Sequence, residues 1–280
     1  MEQWKNGELT ITWLRGGITH LDGGAMFGVV PKPLWSRHYS VNDNNQIPLR
    51  TDPMLITFQG KKILVESGIG NGKMNDKMKR NFGVLEESFV EEDLAGLGLK
   101  PSDIDIILMT HLHFDHACGL TAPNGDTYTS VFENAIIYTT ETEWNEMRNP
   151  NIRSKNTYWK ENWEAIEGQI RTFEKEIEVL PGLKMMHTGG HSDGHAIIHI
   201  EHNGEHLYHL ADIYATTAHA NPLWVMAYDD YPMDSIFAKQ ALLKEIYENE
   251  AWLLFYHDAF TRAIKFNKNG EVTKEIKRNI

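Results

Sequence analysis

The chain has 280 residues, of which 41% are hydrophobic, so it is long enough to bury a sizeable core. The net charge of −12, without any block of Lys or Arg, argues against a nucleic-acid ligand and favours a small-molecule substrate. A single cysteine, Cys118, excludes an intrachain disulfide, and no apolar run has the length needed to cross a bilayer. Because the N-terminus also lacks the pattern of a secretory signal, we expect a cytoplasmic protein that acts as a monomer or a homodimer.

The predicted elements alternate between strands and helices along the whole chain. Strands are predicted over residues 9–14, 54–58, 62–66, 104–110, 135–139, 183–187, 196–201, 206–211 and 251–256. Helices are predicted over residues 86–97, 140–147, 157–170 and 234–248, the last with Asp234 as its N-cap. Residues 16–31 are expected to form a long loop, because two Gly-Gly pairs interrupt them.

This order of elements predicts the fold class. No repeat, low-complexity segment or linker divides the chain, so residues 1–280 are expected to form a single domain. Strands gather in both halves of the chain, and helices follow each group. We therefore predict an α/β (α+β) fold with an αββα arrangement, in which two mixed β-sheets pack face to face and helices flank them.

A cluster of candidate metal ligands follows directly after the apolar run 104–110. Three histidines and one aspartate lie within six residues there: His111, His113, Asp115 and His116. Imidazole nitrogens and a carboxylate oxygen are the ligands that a zinc-like ion prefers. Residues two apart in an extended chain point the same way, so His111 and His113 can bind one ion. Asp115 and His116 are offset from that pair and can face a second ion.

Three further candidates each follow a predicted strand in the second half of the chain: His191, Asp212 and His257. His191 can complete the ligand set of the first ion, and His257 can complete that of the second. Asp212 can bridge both ions, because a carboxylate has two oxygens. Each ion then keeps an open position for water or substrate, as catalytic zinc sites do.

The order of these motifs resembles that of the metallo-β-lactamase superfamily. The matching motifs are H-x-H-x-D-H at 111–116, Gly-Gly-His-Ser-x-Gly-His at 189–195, Ala-Asp at 211–212 and a late histidine. The resemblance spans about residues 55–258 and implies the αββα fold. It implies His111, His113 and His191 as ligands of the first metal, Asp115, His116 and His257 as ligands of the second, and Asp212 as shared. The implied cofactors are two divalent ions per chain, with Zn²⁺ favoured and Fe, Mn or Co as alternatives.

Two further segments, LDGGAMFG at 21–28 and AYDDYP at 227–232, are similar to the YtnP-type quorum-quenching lactonases. These enzymes resemble the N-acyl-homoserine lactonases. The resemblance implies hydrolysis of a carboxylic ester, by opening the lactone ring of N-acyl-homoserine lactones or related signalling lactones. The sequence departs from the pattern at two positions. Ala215 stands where homoserine lactonases typically carry Tyr, with Tyr214 beside it, and Glu66 stands where many superfamily members have Asp.

The predicted reaction is attack by a metal-bound hydroxide on the ester carbonyl. Asp115 is the candidate catalytic residue, because its carboxylate can relay a proton to the leaving alkoxide while it stays a ligand. The candidate residues of the substrate pocket are Met26, Phe27, Tyr214, His219 and Trp224. A phosphotriesterase or thioesterase on the same dinuclear site is the alternative hydrolase, and an iron-dependent redox enzyme is the alternative from another class.

Overall fold

The computed structural model describes residues 1–279. The strands, numbered in chain order, are β1 (Gln3–Asn6), β2 (Leu9–Trp13), β3 (Ile18–Asp22), β4 (Gln46–Arg50), β5 (Met54–Phe58), β6 (Lys61–Val65), β7 (Ile106–Leu108), β8 (Thr121–Asn124), β9 (Thr127–Ser130), β10 (Ile136–Thr140), β11 (Ile170–Phe173), β12 (Glu176–Leu180), β13 (Leu183–His187), β14 (Ala196–His202), β15 (Glu205–His209), β16 (Trp252–Leu254), β17 (Thr261–Phe266) and β18 (Val272–Lys277). The α-helices are α1 (Gly23–Phe27), α2 (Lys32–Trp35), α3 (Asp76–Asn81), α4 (Val90–Gly96), α5 (Phe114–Ala117), α6 (Glu141–Arg148) and α7 (Pro232–Glu248). None of the helices within residues 1–279 is both long enough and apolar enough to cross a bilayer.

Backbone contacts divide the chain into two compact units. The first unit comprises Met1, Gln3–Thr19 and Arg50–Glu174. Its seven-stranded sheet has the order β1-β2-β5-β6-β7-β10-β11. Strands β6, β7, β10 and β11 run parallel, so their carboxyl ends meet at one edge of the sheet. This edge carries the segments that follow β6, β7 and β10, and the His-rich motif is one of them.

The core of the first unit lies on the face of this sheet that α4 and α6 cover. Its central strands contribute Leu64, Ile107 and Ile137, all fully buried, and the helices contribute Leu94 and Trp144. Branched side chains suit the half-buried surface of a sheet, and burying each of them stabilises the fold by about 1.5–3 kcal/mol. The strands that present the His-rich segment are therefore anchored in a buried core.

The second unit comprises Glu2, His20–Leu49 and the residues from Lys175 onward. Its seven-stranded sheet has the order β12-β13-β14-β15-β16-β17-β18, and β15 and β16 are its parallel pair. Because β13 and β15 are both antiparallel to β14, the strands β13, β15 and β16 all point the same way. The three segments that follow them leave one edge of the sheet. Helix α7 packs Leu243 and Ile246 against Leu253 and Ile264 of β16 and β17.

The predicted α/β class, with two mixed sheets and helices, is confirmed, whereas the single domain over residues 1–280 stays a prediction. The hairpin turn at Gln59-Gly60 forms between β5 and β6, with φ angles of 49° and 75° at these residues. The last predicted helix is α7, but it begins two residues before Asp234. Tyr231 is its N-cap, because Pro232 occupies the first helical position, where its missing N–H costs nothing.

Three local predictions are wrong. Residues 157–170 form two 3₁₀ turns, Lys160–Asn162 and Glu164–Gln169, because tertiary partners take the backbone carbonyls that an α-helix would use. Thr121 Oγ1, for example, donates to the carbonyl of Glu161 at 2.6 Å. The helix predicted over 86–97 begins only at Val90, because Ile18 N donates to the carbonyl of Glu86 and holds that residue extended. The expected loop 16–31 contains β3 and α1.

Candidate metal centre

The His-rich segment 111–116 begins just past the carboxyl end of β7. His113 is the N-cap of the short helix α5, which carries Asp115 and His116 in its turn. His111 and His116 are fully buried, and their ring centroids lie 4.0 Å apart. The ring of His113 lies 4.6 Å from that of His111. The extended residues and the helical turn thus bring all three imidazoles together, as the motif predicts.

Glu66 supports two of these imidazoles from the end of β6. Its fully buried carboxylate accepts a hydrogen bond from Thr110 Oγ1 at 2.5 Å, and Thr110 Oγ1 lies 3.0 Å from His111 Nδ1. The single hydroxyl proton of Thr110 points to Glu66, so we assign the proton of the neutral His111 ring to Nδ1 and its lone pair to Nε2. The other oxygen of Glu66 lies 3.4 Å from His116 Nδ1. Glu66 therefore lies on the Nδ1 side of both rings, directly at His116 and through Thr110 at His111, and Nε2 of each ring remains as the candidate ligand atom.

A second buried carboxylate, that of Glu143, supports the backbone of the same segment. It lies in the first turn of α6, whose N-cap Thr140 accepts from Glu143 N at 3.0 Å. Glu143 Oε1 accepts from Leu112 N at 2.7 Å and from Tyr158 Oη at 2.8 Å. The ring of Tyr158 lies 5.1 Å from that of His113. Glu143 thus fixes the backbone between two histidines and the aromatic neighbour of one of them.

In the second unit, His191 lies four residues after β13 and is oriented by Asp229. His191 Nδ1 lies 2.8 Å from Asp229 Oδ1, and both side chains are buried. A carboxylate accepts only, so Nδ1 donates to Asp229 and Nε2 is the ring nitrogen that remains as a candidate ligand atom. The preceding residue, Gly190, has φ +99°, and an added Cβ would lie 2.8 Å from Ser235 N. Glycine is needed there for the turn and for its close approach to α7.

Asp212 lies between two imidazoles of the second unit. One of its oxygens is 3.2 Å from His191 Nε2, and the other is 3.2 Å from His257 Nε2. Asp212 and His257 each lie three residues after a strand, β15 and β16 respectively, and these strands run parallel. The left-handed Ala211, with φ 44°, turns the chain just before Asp212. The topology of the sheet therefore brings ligands from three distant segments together.

The candidate ligand atoms form three groups, and within each group all the ligand atoms lie within 4.8 Å of one another. They are His111, His113 and His191; His111, His116 and Asp212; and Asp115, His116 and His257. The first and third groups have the same members as the two sets that the sequence analysis assigned to the first and second metal. All seven predicted ligands thus occur in these groups, and their role as ligands stays a prediction.

The chemistry and spacing of these donors fit divalent ions. His191 Nε2 lies 3.2 Å from an oxygen of Asp212, and a cation bound to both atoms would satisfy this arrangement. Two donors bound to one zinc ion at about 2.0 Å and at tetrahedral angles lie roughly 3.3 Å apart. The members of the groups are buried, except for the half-buried Asp115, and such burial excludes competing water. The residues present therefore fit the implied metal.

Four of the five predicted pocket residues are buried. Phe27 stacks between Trp35 and His219, with ring centroids 5.3 Å and 4.7 Å away. His219 bonds Thr216 Oγ1 through Nδ1 and the carbonyl of Met26 through Nε2, both at 2.9 Å. Burial lowers the pKa of His219 to about 4, and the nearby ammonium of Lys239 acts in the same direction. His219 is therefore neutral and holds α1 to the segment after Asp212.

Tyr214 packs in a different cluster from the other pocket candidates. Its ring lies 5.8 Å from that of Phe255, and the ammonium of Lys239 lies 5.7 Å from its centroid. Trp224 is half-buried and contacts the edge of Phe27 at 5.9 Å. Core packing accounts for Met26, Phe27, Tyr214 and His219 in the structure, and a role of any of the five in substrate binding stays a prediction.

The sequence motifs do not predict a role for the carboxylates that support the candidate ligands. In the sequence, Glu66 is only a departure from the family pattern, Asp229 is only part of a matching segment, and Glu143 belongs to no motif. A signal for Glu66 exists, because it directly follows the apolar strand 62–65, where a charged residue needs a partner. Glu143 gives no such signal, because an acidic residue in the first turn of a helix is ordinary.

Comparison with known proteins identifies the family of the chain. The model of the metallo-beta-lactamase superfamily matches residues 47–257. A solved structure of a probable metal-dependent hydrolase from Staphylococcus aureus is 50% identical in sequence, with a TM-score of 0.95 over 99% of each chain. The structure of AidC, a dizinc quorum-quenching lactonase, has a TM-score of 0.80 at 17% identity, over 100% of this chain and 97% of AidC. At that identity the likeness to AidC shows the fold alone.

A curated relative is similar in sequence over part of its length. The N-acyl homoserine lactonase AiiA of Bacillus thuringiensis subsp. kurstaki is 32% identical over 163 residues, which cover 53% of this chain and 56% of AiiA. The match thus spans about half the length of that relative. The family match is the stronger finding, because it extends from β4 to the last candidate ligand, His257. The chain belongs to the metallo-beta-lactamase superfamily, a superfamily of metal-dependent hydrolases.

Proposed function

We propose that this protein is a dinuclear metal-dependent hydrolase that opens the lactone ring of N-acyl-homoserine lactones or related signalling lactones. The observation that carries the proposal is the convergence of seven buried or half-buried His and Asp ligands in three groups within 4.8 Å. The similarity to a protein named N-acyl homoserine lactonase supports the substrate class. The net charge of −12 is compatible with a neutral lactone and disfavours a polyanion.

The proposed ligand sets follow the groups in the structure. His111, His113 and His191 hold the first ion, and Asp115, His116 and His257 hold the second. Asp212 is shared, because each of its oxygens faces a different imidazole. Two Zn²⁺ ions per chain suit this set of nitrogen and oxygen donors, and Fe, Mn or Co can take the same positions.

In the proposed mechanism, bound divalent ions lower the pKa of a water molecule and polarise the ester carbonyl. The chain supplies orientation and proton transfer. Glu66 and Asp229 hold the imidazoles of His111, His116 and His191 with Nε2 directed into the site, so that little reorganisation is needed. Asp115 is half-buried, and its carboxylate would take the proton that the attacking water releases and give it to the leaving alkoxide oxygen as the ring opens.

The proposal extends to the surroundings of the site. The half-buried Trp224 forms part of the wall for the acyl chain, and the buried Phe27 and His219 support it from behind. We also propose that residues 1–280 act as one domain, in the cytoplasm, as a monomer or a homodimer. The expected partner is the small-molecule ester itself.

A substrate panel on metal-loaded protein tests this function. The purified chain is assayed with homoserine lactones, a phosphotriester, a thioester and oxygen, before and after removal of metal and its replacement. We expect lactone hydrolysis that is lost with the metal and restored by Zn²⁺. His113→Ala should abolish the activity, whereas His202→Ala, at the last residue of β14, should leave it unchanged. Faster turnover of the phosphotriester or thioester, or oxygen consumption, would replace the lactonase assignment.

A further inference from the structure

Asp258 directly follows His257 and makes four hydrogen bonds, although it is not one of the proposed ligands. Its side chain is only 2% exposed. One oxygen, Oδ1, accepts from Phe260 N and Thr261 N at 2.8 Å each. These two bonds close the turn that leads from His257 into β17, as Asp commonly does two and three residues ahead of a donor. These two bonds are local, and they are half of the four hydrogen bonds that the carboxylate accepts.

The other oxygen reaches a distant segment. Asp258 Oδ2 accepts from Thr217 N and from Thr217 Oγ1, both at 2.8 Å. Thr217 begins the 3₁₀ turn Thr217–His219, five residues after Asp212. The same turn is tied to α1, because His219 Nε2 bonds the carbonyl of Met26. All four donors to Asp258 are neutral, so a buried carboxylate is balanced by hydrogen bonds that only this arrangement supplies.

We propose that Asp258 is a positioning residue that fixes the spacing between His257 and Asp212. This inference rests on the proposed function, in which these two residues bind the second ion. Their candidate ligand atoms lie 3.2 Å apart. The hydrogen bond between Asp258 and Thr217 links their two chain segments, one residue after His257 and five residues after Asp212. The carboxylate therefore limits how far the two ligands separate, and it does so without touching the ion or the substrate.

The roles of the two carboxylate oxygens can be tested separately, because the side-chain amide of Asp258→Asn keeps only one acceptor oxygen. Asp258→Asn retains an oxygen for Phe260 N and Thr261 N, while its amino group cannot accept from Thr217. Thr217→Val is the milder variant, since it removes the hydroxyl donor and keeps the backbone bond. Zn²⁺ is titrated into the metal-free full-length protein, and the affinity of each equivalent is measured by calorimetry. For Asp258→Asn we expect the second ion, identified as the equivalent that His257→Ala loses, to bind about 10–100-fold more weakly.

Asp93→Asn is the matched control. Asp93 is 4% exposed, and like Asp258 it joins distant segments, by accepting from Arg15 N and from the Arg15 side chain. It lies on α4, away from the candidate ligands in the chain. We expect this control to lower the melting temperature and to leave both Zn²⁺ affinities at the wild-type values. If Asp93→Asn lowered the Zn²⁺ affinity as much as Asp258→Asn does, Asp258 would have only a general structural role, and the proposal would be overturned.

Hydrogen exchange separates this inference from the proposed function. The exchange of the Thr217 amide is measured in metal-free wild-type protein and in Asp258→Asn. We expect at least tenfold faster exchange in the variant, because its amide loses the acceptor. Wild-type protein that binds fewer than two Zn²⁺ ions would contradict the proposed function, whatever the exchange shows. If the wild type binds two ions, unchanged exchange at Thr217 or unchanged affinity for the second ion in Asp258→Asn would overturn the role of Asp258.

Discussion

The two regions that supply candidate ligands differ in how the sequence specifies them. In residues 111–116, four candidate ligands come from one short segment at the end of β7, and Glu66 and Glu143 hold it from neighbouring strand ends. In the second unit, His191, Asp212 and His257 come from three segments that are far apart in the chain. The first region is encoded by local spacing, whereas the second depends on the strand order of a sheet.

This difference shows where the precision of the second region comes from. Each of its three ligands follows a strand that points to the same edge of the sheet, within three or four residues. Gly190 and Ala211, both with positive φ, turn the chain just before two of these ligands. Remote carboxylates support both regions. The dispersed region differs because its candidate ligands depend on special backbone conformations and on strand order, whereas residue spacing brings those of the contiguous segment together.

The largest effect is expected at the residue that the proposed sets share. Asp212→Asn removes the charge between two imidazoles and leaves one oxygen where two are used. We expect lactone turnover to fall by more than the roughly 100-fold that the loss of an outer partner of a metal ligand costs. The measurement is kcat/KM with Zn²⁺ present in excess, with His202→Ala as the control. Activity within tenfold of the wild type would remove Asp212 from the shared position.

A smaller effect is expected for the carboxylates that orient imidazoles. Glu66→Gln should weaken the binding of both ions by about 10–100-fold, because Glu66 contacts His116 and, through Thr110, His111. Asp229→Asn should weaken only the ion that His191 holds. Competition with a chelator measures both affinities. Glu143→Gln is the comparison, since Glu143 bonds a backbone amide of the segment, and equal losses in Glu66→Gln and Glu143→Gln would contradict the orienting role.

Substitution of glycine tests the special backbone conformation of the second region and its close approach to α7. Gly190→Ala should destabilise the fold by about 1–2 kcal/mol through its left-handed backbone, and by a further 1–3 kcal/mol through overlap with Ser235. Gly204→Ala, at φ +75° with open space around it, should lose only the first part. Denaturant unfolding gives both values. Equal destabilisation of the two variants would show that the approach of Gly190 to α7 is not tight.

The smallest effect concerns pH. The pKa of His219 is lowered to about 4 from a usual value of 6.5, because the ring is buried. The unfolded chain therefore binds a proton that the folded chain does not, and folding stability falls as pH drops below about 6.5 and stops falling below about 4. Between pH 7 and pH 5 this loss is about 2 kcal/mol. His219→Gln should unfold with a correspondingly smaller pH dependence, and parallel curves for variant and wild type would contradict a buried neutral His219.

The sequence was sufficient for the motif and for nine of the eighteen strands that residues 1–279 form, because both depend on local patterns. The run 104–110 and the spacing of His111, His113 and His116 carry their own signal, so the first region could be predicted without knowledge of the sheet. The α/β class followed from alternating strands and helices. The same local reasoning also placed α6 and α7 to within two residues at each end.

The errors occurred where tertiary contacts override local preference. Residues 157–170 have the composition of a helix, yet the carbonyl of Glu161 is taken by Thr121, and Lys73 bonds Asn162. The segment before α4 is extended, because Ile18 pairs with Glu86. The supporting carboxylates Glu143 and Asp258 were missed for the same reason, since their partners are distant in sequence.

The most direct test of the account is the metal content of the protein. Zinc is measured by mass spectrometry after metal-free protein is loaded and free metal is removed, for the wild type and for His257→Ala. We predict two zinc ions per wild-type chain and about one per variant chain, because His257 contributes only to the second set. A wild type that retains one zinc ion or fewer, or a variant that still retains two, would contradict the dinuclear site.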